Sequence, residues 1–257
     1  MASTLVVRKE FHLDLVQGLF VHGEVKAVND GTVKPVLIAA HGFRGHKDWG
    51  FWPYVTSWLA ERGFYTVQFD FSRIGVKNSG GDEYAVQQAS TFSRELADLG
   101  AVLERVLDRS LPLAEQSDPA SITLLGHSRA GGSSIVFAAE HPEVSAVIAW
   151  NGGVSPAPAP ASSHPVLRED IEKNKERFNT SRLLASLTRP ALLIQGSEDA
   201  DRLLENHARL RQEAPHHHYV SIQGADHAFG AEHPFHRSTP HLEEALEVTY
   251  SFLTRRH

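Results

Sequence analysis

Residues 121–132 read Ser-Ile-Thr-Leu-Leu-Gly-His-Ser-Arg-Ala-Gly-Gly, and the architecture of the whole chain can be worked out from them. Its apolar first half, 121–125, predicts a buried parallel strand. Residues 133–139 are small or apolar and stand before a His-Pro step, so they predict the body of a helix that stops there. A serine on the tight turn between a strand and a helix has its hydroxyl exposed above the edge of the sheet, and Ser128 holds that place.

The small residues around Ser128 match the nucleophile elbow Gly-x-Ser-x-Gly, in which a strained turn presents a serine nucleophile. Gly126 fills the first place, and Ala130 stands in the last place, one methyl away from the strict pattern. Small residues also open helices that do nothing more, so the pattern alone leaves a catalytic and a structural interpretation open. The choice depends on whether a histidine and a carboxylate stand at matching places in the chain.

Composition narrows the class of protein. The 257 residues fit one α/β domain, 1–257, with 41% hydrophobic and 22% charged residues. A net charge of −6 without a basic run argues against nucleic acid as a partner, and the lack of cysteine excludes disulfides and thiolate chemistry. Residues 1–10 lack the apolar core of a signal peptide, and no run approaches the roughly 18 apolar residues that cross a bilayer. We therefore expect a cytoplasmic protein that does not bind membranes.

Apolar runs alternate with helical periodicity from residue 36 to the end of the chain. This order predicts an α/β fold with a mostly parallel central sheet and helices on both faces. Predicted strands are 36–40, 65–69, 121–125, 146–150, 191–195 and 219–222, after an N-terminal hairpin over 11–15 and 19–25. Predicted helices are 54–62, 92–107, 133–139, 168–178, 182–187, 202–213 and 241–254, with loops at 72–81 and 112–119. Reactive groups gather at the carboxyl ends of the strands in such sheets.

Two of those carboxyl-end loops carry partners for Ser128. Residues 196–201 read Gly-Ser-Glu-Asp-Ala-Asp, and residues 223–229 read Gln-Gly-Ala-Asp-His-Ala-Phe. A serine nucleophile needs a base to take its proton and a third group to orient that base. The order Ser128, Asp199, His227 is the nucleophile, acid and histidine order of α/β-hydrolases.

The chain resembles an α/β-hydrolase over nearly its whole length. Residues 41–49 (His-Gly-Phe-Arg-Gly-His-Lys-Asp-Trp), 91–96 (Thr-Phe-Ser-Arg-Glu-Leu) and 224–229 (Gly-Ala-Asp-His-Ala-Phe) resemble a bacterial esterase-like, dienelactone-hydrolase-like branch. The chain departs from that pattern at Ala130, and at residues 200–201, Ala-Asp, where Val-Pro is common after the acid. The resemblance implies a single domain whose residues 151–187 form a short cap or lid insert.

Carried onto this sequence, the resemblance implies that Ser128 is the nucleophile, His227 the base and Asp199 the acid. The spacing of Gly196 and Asp199 selects that carboxylate, while Glu198 and Asp201 remain alternatives, and any of the three could instead cap a helix or be a solvated charge. The implied activity is hydrolysis of a carboxylic ester, in a small molecule, through an acyl-enzyme. A thioesterase, a peptidase and a non-catalytic binding protein of the same fold remain alternatives.

An oxyanion hole needs backbone N–H groups aimed at the developing negative oxygen. In this fold one donor follows the nucleophile, which is Arg129 here, and the other comes from the 41–43 loop, where we expect Phe43. Without catalysis, His41-Gly42 is only a tight turn that leaves a strand.

Aromatic and basic residues near that loop are candidates for the substrate pocket. Trp49, Phe51 and Trp52 follow it directly, although packing of helix 54–62 onto the sheet is the favoured role for at least one of them. Arg44 and Arg129 stand where they could meet a carboxylate of the substrate, while solvated or structural arginines are commoner.

Neither a metal nor another cofactor is predicted. Residues 216–218 are three consecutive histidines, but neighbours in an extended segment point to opposite faces and seldom converge on one ion. Residues 151–163 are rich in Gly, Pro, Ala and Ser and predict a mobile flap. With Phe178 facing inward, this insert predicts an open cleft that favours short or compact acyl groups. The oligomeric state does not follow from the sequence.

Overall fold

The computed structural model describes residues 5–157 and 164–255. Its strands are β1 (Val6–Asp14), β2 (Phe20–Val28), β3 (Lys34–Ala40), β4 (Tyr65–Asp70), β5 (Ser117–His127), β6 (Val144–Trp150), β7 (Ala191–Gly196) and β8 (His218–Ile222). They form one sheet in the order β1-β2-β4-β3-β5-β6-β7-β8. The first two strands pair antiparallel, and β2 pairs antiparallel with β4, while the pairs from β4 to β8 are parallel. The predicted hairpin and the mostly parallel sheet are confirmed.

The helices of the described residues are α1 (Trp52–Glu61), α2 (Ser72–Asn78), α3 (Glu83–Ala89), α4 (Phe92–Leu107), α5 (Arg129–Glu140), α6 (Pro165–Lys173), α7 (Thr180–Ser186), α8 (Asp201–Glu213) and α9 (Pro240–Thr254). Thr91 caps α4, since its side chain accepts a hydrogen bond from the Arg94 N–H. One apolar core cluster gathers α4 and α5 against the sheet, and a second gathers α1 and α9. This is the expected α/β-hydrolase fold. None of the described helices is long and apolar enough to cross a membrane.

The prediction of a loop over residues 72–81 is wrong, because α2 occupies most of that segment. The cause lies outside the segment. The Ser72 N–H, at the start of α2, donates to Asp98 Oδ2 at 2.8 Å, and Gly75 lies against the ring of Phe20. A partner from α4 and a close contact with β2 therefore stabilise a helix whose own sequence gives little sign of it.

One of the contacts that tie the insert at 151–187 to the body of the protein is made by Asp170. Asp170, on α6, accepts hydrogen bonds from the Phe92 N–H at 2.8 Å and the Ser93 N–H at 3.1 Å. It thereby binds the first turn of α4, where backbone N–H groups lack helical partners. Residues 158–163, within the predicted flap, lie outside the described residues. The single-domain boundaries and the movement of the insert as a lid stay predictions.

Candidate active site

Ser128 sits on the sharp turn between β5 and α5. Its backbone has φ 57° and ψ −124°, a conformation that a non-glycine residue rarely adopts and that marks functional turns. The turn is tight because a Cβ on Gly126 would lie 2.1 Å from the Ala130 carbonyl oxygen. Only glycine fits there, whereas the methyl of Ala130 is accommodated and fully buried. The predicted elbow is therefore present as a backbone structure.

The structure brings the three predicted triad residues together. His227 follows β8, and its Nε2 lies 3.0 Å from the Ser128 Oγ. Its Nδ1 lies 2.8 Å from the Asp199 Oδ2, at the end of β7. The carboxylate accepts, so Nδ1 carries the ring proton and Nε2 is free to accept from the serine hydroxyl. Three residues separated by up to 99 positions thus form one hydrogen-bonded chain.

The competing carboxylates do not face His227. Glu198 and Asp201 are exposed, and the latter opens α8, whereas the side chain of Asp199 is 3% exposed. Burial by itself would raise the pKa of Asp199. Hydrogen bonds from His227, from the Ala200 N–H and from Gln195 outweigh burial and lower this pKa, so the carboxylate is ionised at neutral pH.

Uncharged groups hold the His227 and Asp199 loops. Gln195 Nε2 donates to Asp199 Oδ2 at 2.8 Å and to Asn151 Oδ1 at 3.1 Å. Asn151 Nδ2 in turn donates to the His227 carbonyl at 3.0 Å, and the His127 ring donates to the same carbonyl through Nε2 at 2.8 Å. Sequence reasoning missed these supports, because each acts between segments that are distant along the chain.

His127 is a neutral member of this group. Burial, and then the neighbouring His227, lower the pKa of His127 to about 4. Its ring packs edge-on against Phe51, with 5.3 Å between centroids, and lies 4.9 Å from the His227 ring. An uncharged imidazole at this place can donate one hydrogen bond while the rest of the ring packs as an apolar group.

Two backbone donors stand where an oxyanion hole is expected. Arg129 is the first residue of α5, so its N–H lacks an acceptor within the helix. Phe43 follows Gly42 in a turn that the Gly45 N–H closes onto the Gly42 carbonyl at 3.1 Å. That turn lies against the nucleophile, since a Cβ on Gly42 would stand 3.0 Å from the Ser128 Cβ.

The Arg129 side chain is engaged within the protein. Its Nε lies 3.1 Å from the buried Glu95 Oε2, an ion pair whose N–H is not aligned as a hydrogen bond. Its Nη2 donates to the Ser90 carbonyl at 2.8 Å. The structural interpretation of Arg129 is therefore favoured over a contact with a substrate carboxylate. Arg44 is exposed in the neighbouring turn, and its role in binding stays a prediction.

The prediction that Phe51 and Trp52 line the pocket is wrong, because their side chains are 0% and 2% exposed. They pack α1 onto the sheet, with ring centroids 5.8 and 6.3 Å from the ring of Trp150. Trp49 is half-buried against His233, and its contact with substrate stays a prediction.

Phe178 does not face the nucleophile either. Its ring is 1% exposed and packs on Phe92, with 4.6 Å between centroids. Its edge lines a cavity of about 810 Å³ between the 154–157 loop, α6 and α8. Within the described residues the lining of that cavity includes none of the three triad residues. The prediction that Phe178 points over the site is wrong, because tertiary packing gives this aromatic ring a place in the core.

The consecutive histidines bind backbone groups. His216 Nε2 lies 3.1 Å from the Leu187 carbonyl oxygen, and His217 Nε2 lies 2.8 Å from that of Leu184. Across residues 5–157 and 164–255, no three His, Asp or Glu side chains are grouped so that they could hold a metal ion.

The sequence model of the dienelactone hydrolase family matches residues 24–256. The chain belongs to the dienelactone hydrolase family. This membership supports hydrolysis of an ester bond as the general activity, and the predicted resemblance to the esterase-like branch is confirmed. No curated protein matches the chain.

Solved structures of the same fold are distant in sequence from this dienelactone hydrolase family member. The esterase domain of a Rhodothermus marinus protein has a TM-score of 0.69 at 23% identity, over 96% of this chain and 97% of that one. Est1E from Butyrivibrio proteoclasticus has a TM-score of 0.69 at 19% identity, over 95% of this chain and 97% of that one. Est1E has also been solved with ferulic acid bound. Dienelactone hydrolase from Anabaena variabilis has a TM-score of 0.62 at 18% identity, over 95% of this chain and 96% of that one. At these identities the likeness shows the fold.

Proposed function

We propose that the protein is a serine hydrolase that cleaves carboxylic esters through Ser128, His227 and Asp199. The observation that carries this proposal is the unbroken chain of hydrogen bonds from the Ser128 hydroxyl through His227 to the Asp199 carboxylate. Family membership supports the bond type, and the strained backbone of Ser128 supports its place as nucleophile.

The first half of the reaction acylates the serine. His227 Nε2 takes the hydroxyl proton while the Ser128 Oγ forms a bond to the ester carbonyl carbon. The carbonyl oxygen becomes an oxyanion, which the N–H groups of Phe43 and Arg129 stabilise. The imidazolium then gives its proton to the alcohol oxygen as the carbon–oxygen bond breaks, which leaves an acyl-enzyme and a free alcohol.

The second half returns the enzyme to its starting state. His227 takes a proton from a water molecule, whose oxygen attacks the acyl carbon at the same oxyanion donors. The proton passes to the Ser128 Oγ as the acid leaves. Asp199 stays ionised in both halves and keeps the imidazole in the tautomer that can accept the proton.

Replacement of the nucleophile tests the proposal. We expect Ser128→Ala to fold and to lose turnover by roughly a millionfold. A fluorophosphonate probe should label the native protein and not this variant. The matched control is Ser133→Ala on the same helix, whose hydroxyl donates to the Ala130 carbonyl at 3.3 Å. This control should be labelled normally. If the activity of Ser128→Ala stayed within tenfold of native, the nucleophile would lie elsewhere. If the native protein neither reacted with the probe nor turned over an ester, a binding role would be indicated.

The bond type is tested by matched acyl groups on different leaving groups. A p-nitrophenyl ester, an acyl-thioester and an aminoacyl amide with the same acyl part should be compared by kcat/KM. We expect the ester to be preferred. A higher value for the thioester or the amide would assign the protein to one of those two classes instead.

We further propose that short or compact acyl groups are preferred. The mouth of the site is open, because the side chain of His227 is 44% exposed and Phe43 is 42% exposed. kcat/KM should be higher for C2–C4 than for C10–C16 p-nitrophenyl esters, and methyl ferulate is a compact aromatic ester to include. A preference for long chains that vanishes on deletion of 156–163 would instead identify the flap as a lipid-binding lid.

A further inference from the structure

The carbonyl of Gly42 accepts three hydrogen bonds. The His41 ring donates through Nδ1 at 2.8 Å, Arg73 donates through Nη2 at 3.0 Å, and the Gly45 N–H closes the turn at 3.1 Å. The tautomer of His41 follows from its other nitrogen, since Nε2 accepts from the Phe71 N–H at 3.2 Å. The orientation of this one peptide group is thus set from three directions.

The same peptide group carries a proposed oxyanion donor. The C=O of Gly42 and the N–H of Phe43 belong to one planar trans unit, so they point in opposite directions. Donors that fix the carbonyl on one side therefore fix the N–H on the other. A rotation of this peptide would move the N–H away from the oxygen that it must meet in the transition state.

Arg73 is itself held by Glu95, which lies on α4. Arg73 Nη1 donates to Glu95 Oε1 at 2.6 Å, and the two side chains are 4% and 0% exposed. The other carboxylate oxygen of Glu95 pairs with Arg129, the residue that carries the second proposed oxyanion donor. One buried carboxylate therefore contacts the side chains on both sides of the expected oxyanion position.

The contacts of Glu95 are of a kind that resists displacement. Hydrogen bonds between ionised groups are shorter and stronger than neutral ones, and removal of one partner leaves an uncompensated buried charge. The guanidinium carbons of Arg73 and Arg129 lie 5.3 and 4.8 Å from the centroid of the Phe43 ring, so the same cluster also contacts this side chain.

We propose that Glu95 is a positioning residue that sets both backbone donors of the oxyanion hole, one through Arg73 and the Gly42 carbonyl and one through Arg129. Glu95 is 0% exposed and therefore out of reach of a substrate, and within the described residues its ion pairs are with Arg73 and Arg129. This inference rests on the proposed serine hydrolase function.

The main test is Glu95→Gln, which keeps the size of the side chain and removes its charge. Active sites are first counted by titration with a fluorophosphonate, so that turnover refers to folded enzyme only. We expect kcat to fall roughly 10- to 100-fold, below the loss for complete removal of one oxyanion donor, while KM changes less than threefold. The pH at which kcat/KM is half-maximal should not move, since the proton-transfer groups are untouched.

A transition-state analogue gives a second readout. A trifluoromethyl ketone adds to the Ser128 Oγ as a tetrahedral oxyanion, with the hydroxyl proton passing to His227. Its affinity should fall in Glu95→Gln by about the same factor as kcat/KM. The affinity of the product acid, which has no tetrahedral oxyanion, should stay within threefold of native.

Glu24→Gln is the matched control. Glu24 is likewise 0% exposed and is shared among three cations, Arg8, Lys26 and, at 3.9 Å, Lys47. In the described residues its ion pairs involve neither Gly42 nor Arg129. We expect Glu24→Gln to lower stability while kcat per titrated site stays within twofold. Arg73→Lys is a second test variant, because a lysine retains the charge but cannot contact Glu95 and the Gly42 carbonyl with two separate nitrogens. It should also lower kcat, by no more than Glu95→Gln does, because it disturbs the Gly42 arm and leaves the pair between Glu95 and Arg129 in place. It serves alone if Glu95→Gln does not fold.

The inference would be overturned if Glu95→Gln or Arg73→Lys kept a turnover per titrated site within twofold of native. Glu95 would then be a purely structural residue. An equal loss in Glu24→Gln would do the same. The proposed function is judged separately by Ser128→Ala. If that variant is inactive while Glu95→Gln is fully active, only the positioning role fails, whereas an active Ser128→Ala removes the hydrolase mechanism as well.

Discussion

The two sides of Ser128 are held by different chemistry. On the His227 side the supports that come from other strands are uncharged: Gln195, Asn151 and a neutral His127 bind the loops through hydrogen bonds. The Asp226 carboxylate acts within its own loop, on the N–H groups of Ala228 and Gly230. On the Gly42 side an ionised cluster, in which Arg73 and Arg129 share the buried carboxylate of Glu95, stands beside the ring of His41. Both sides are assembled from segments far apart in the chain, so the difference is one of charge.

This difference fits what each side has to do under the proposed mechanism. A fixed charge beside an imidazole that gains and releases a proton would favour one of its two forms, and neutral amides avoid that effect. The other side meets an oxygen that becomes negative, where positive groups stabilise the developing charge and rigid donors need no rearrangement. The comparison can be tested from either side.

The largest effect is expected at Asp199, the carboxylate that binds the His227 ring. Asp199→Asn should lower kcat roughly ten-thousandfold, because an amide favours the imidazole tautomer that cannot accept the serine proton. The measurement is kcat per folded enzyme for a p-nitrophenyl ester. Glu198→Gln is the matched control on the same loop and should change kcat less than threefold. A larger loss in Glu198→Gln than in Asp199→Asn would reverse the assignment of the acid.

The neutrality of His127 predicts a loss of stability in acid. Between the ordinary histidine pKa of about 6.5 and the folded pKa of about 4, the unfolded chain binds a proton that the folded chain does not. The free energy of unfolding should therefore fall as the pH falls through this window, by about 3 kcal/mol from this residue. His127→Gln keeps a donor for the His227 carbonyl and removes the titration.

Urea unfolding of native protein and His127→Gln between pH 7 and pH 4 measures this effect. The difference between the two proteins isolates His127, since burial also lowers the pKa of His41, His207 and His217. If the free energies of unfolding of the two proteins changed in parallel from pH 7 to pH 4, His127 would be protonated in the folded state. The His227 side would then not be neutral.

On the Gly42 side, a single methyl should disturb the oxyanion turn. A Cβ at Gly42 would lie 3.0 Å from the Ser128 Cβ, which is tighter than nearly all real contacts, so the turn or the serine must shift. Gly42→Ala should lower kcat by roughly tens of fold, with a small change in KM. Gly100→Ala, where the nearest atom to the new methyl is Phe137 Cε2 at 3.9 Å, is the control. Native turnover in Gly42→Ala would show that the donor geometry tolerates displacement.

The smallest effect is expected at Gln195. Gln195→Met keeps the volume and removes one of the donors to Asp199, while the hydrogen bond from His227 remains, so kcat should fall roughly tenfold or less. Gln116→Met is matched, since Gln116 is also fully buried but binds Lys34 and Asn29 before β5. It should cost stability without changing kcat per titrated site. Equal kcat in Gln195→Met and native protein would restrict the neutral support to Asn151 and His127.

Much of the site was predictable because the signals are local. The elbow at Ser128 needs only a strand, small neighbours and a helix within twelve residues. Asp199 and His227 follow apolar strands directly, and parallel strands bring their carboxyl ends to one edge whatever the distance along the chain. The order of the three residues is also a property of the chain itself.

The wrong predictions concern side chains that could either pack in the core or line the site. Phe51, Trp52 and Phe178 stand next to catalytic loops in the sequence, yet all three are buried in the core. An aromatic residue carries the same signal whether it packs beneath a site or lines it. The helix at 72–78 was missed for a related reason, because its support comes from Asp98 and from contact with Phe20.

The alternation of strands and helices, the elbow and the order of the three triad candidates can be read from the amino-acid sequence, because these signals are local. The packing of the folded chain was needed to show that Asp199, rather than Glu198 or Asp201, faces His227. It also decided which groups hold the loops in place. A buried Glu95 on an amphipathic helix looks like any charged helical residue until packing removes it from water and sets it between Arg73 and Arg129.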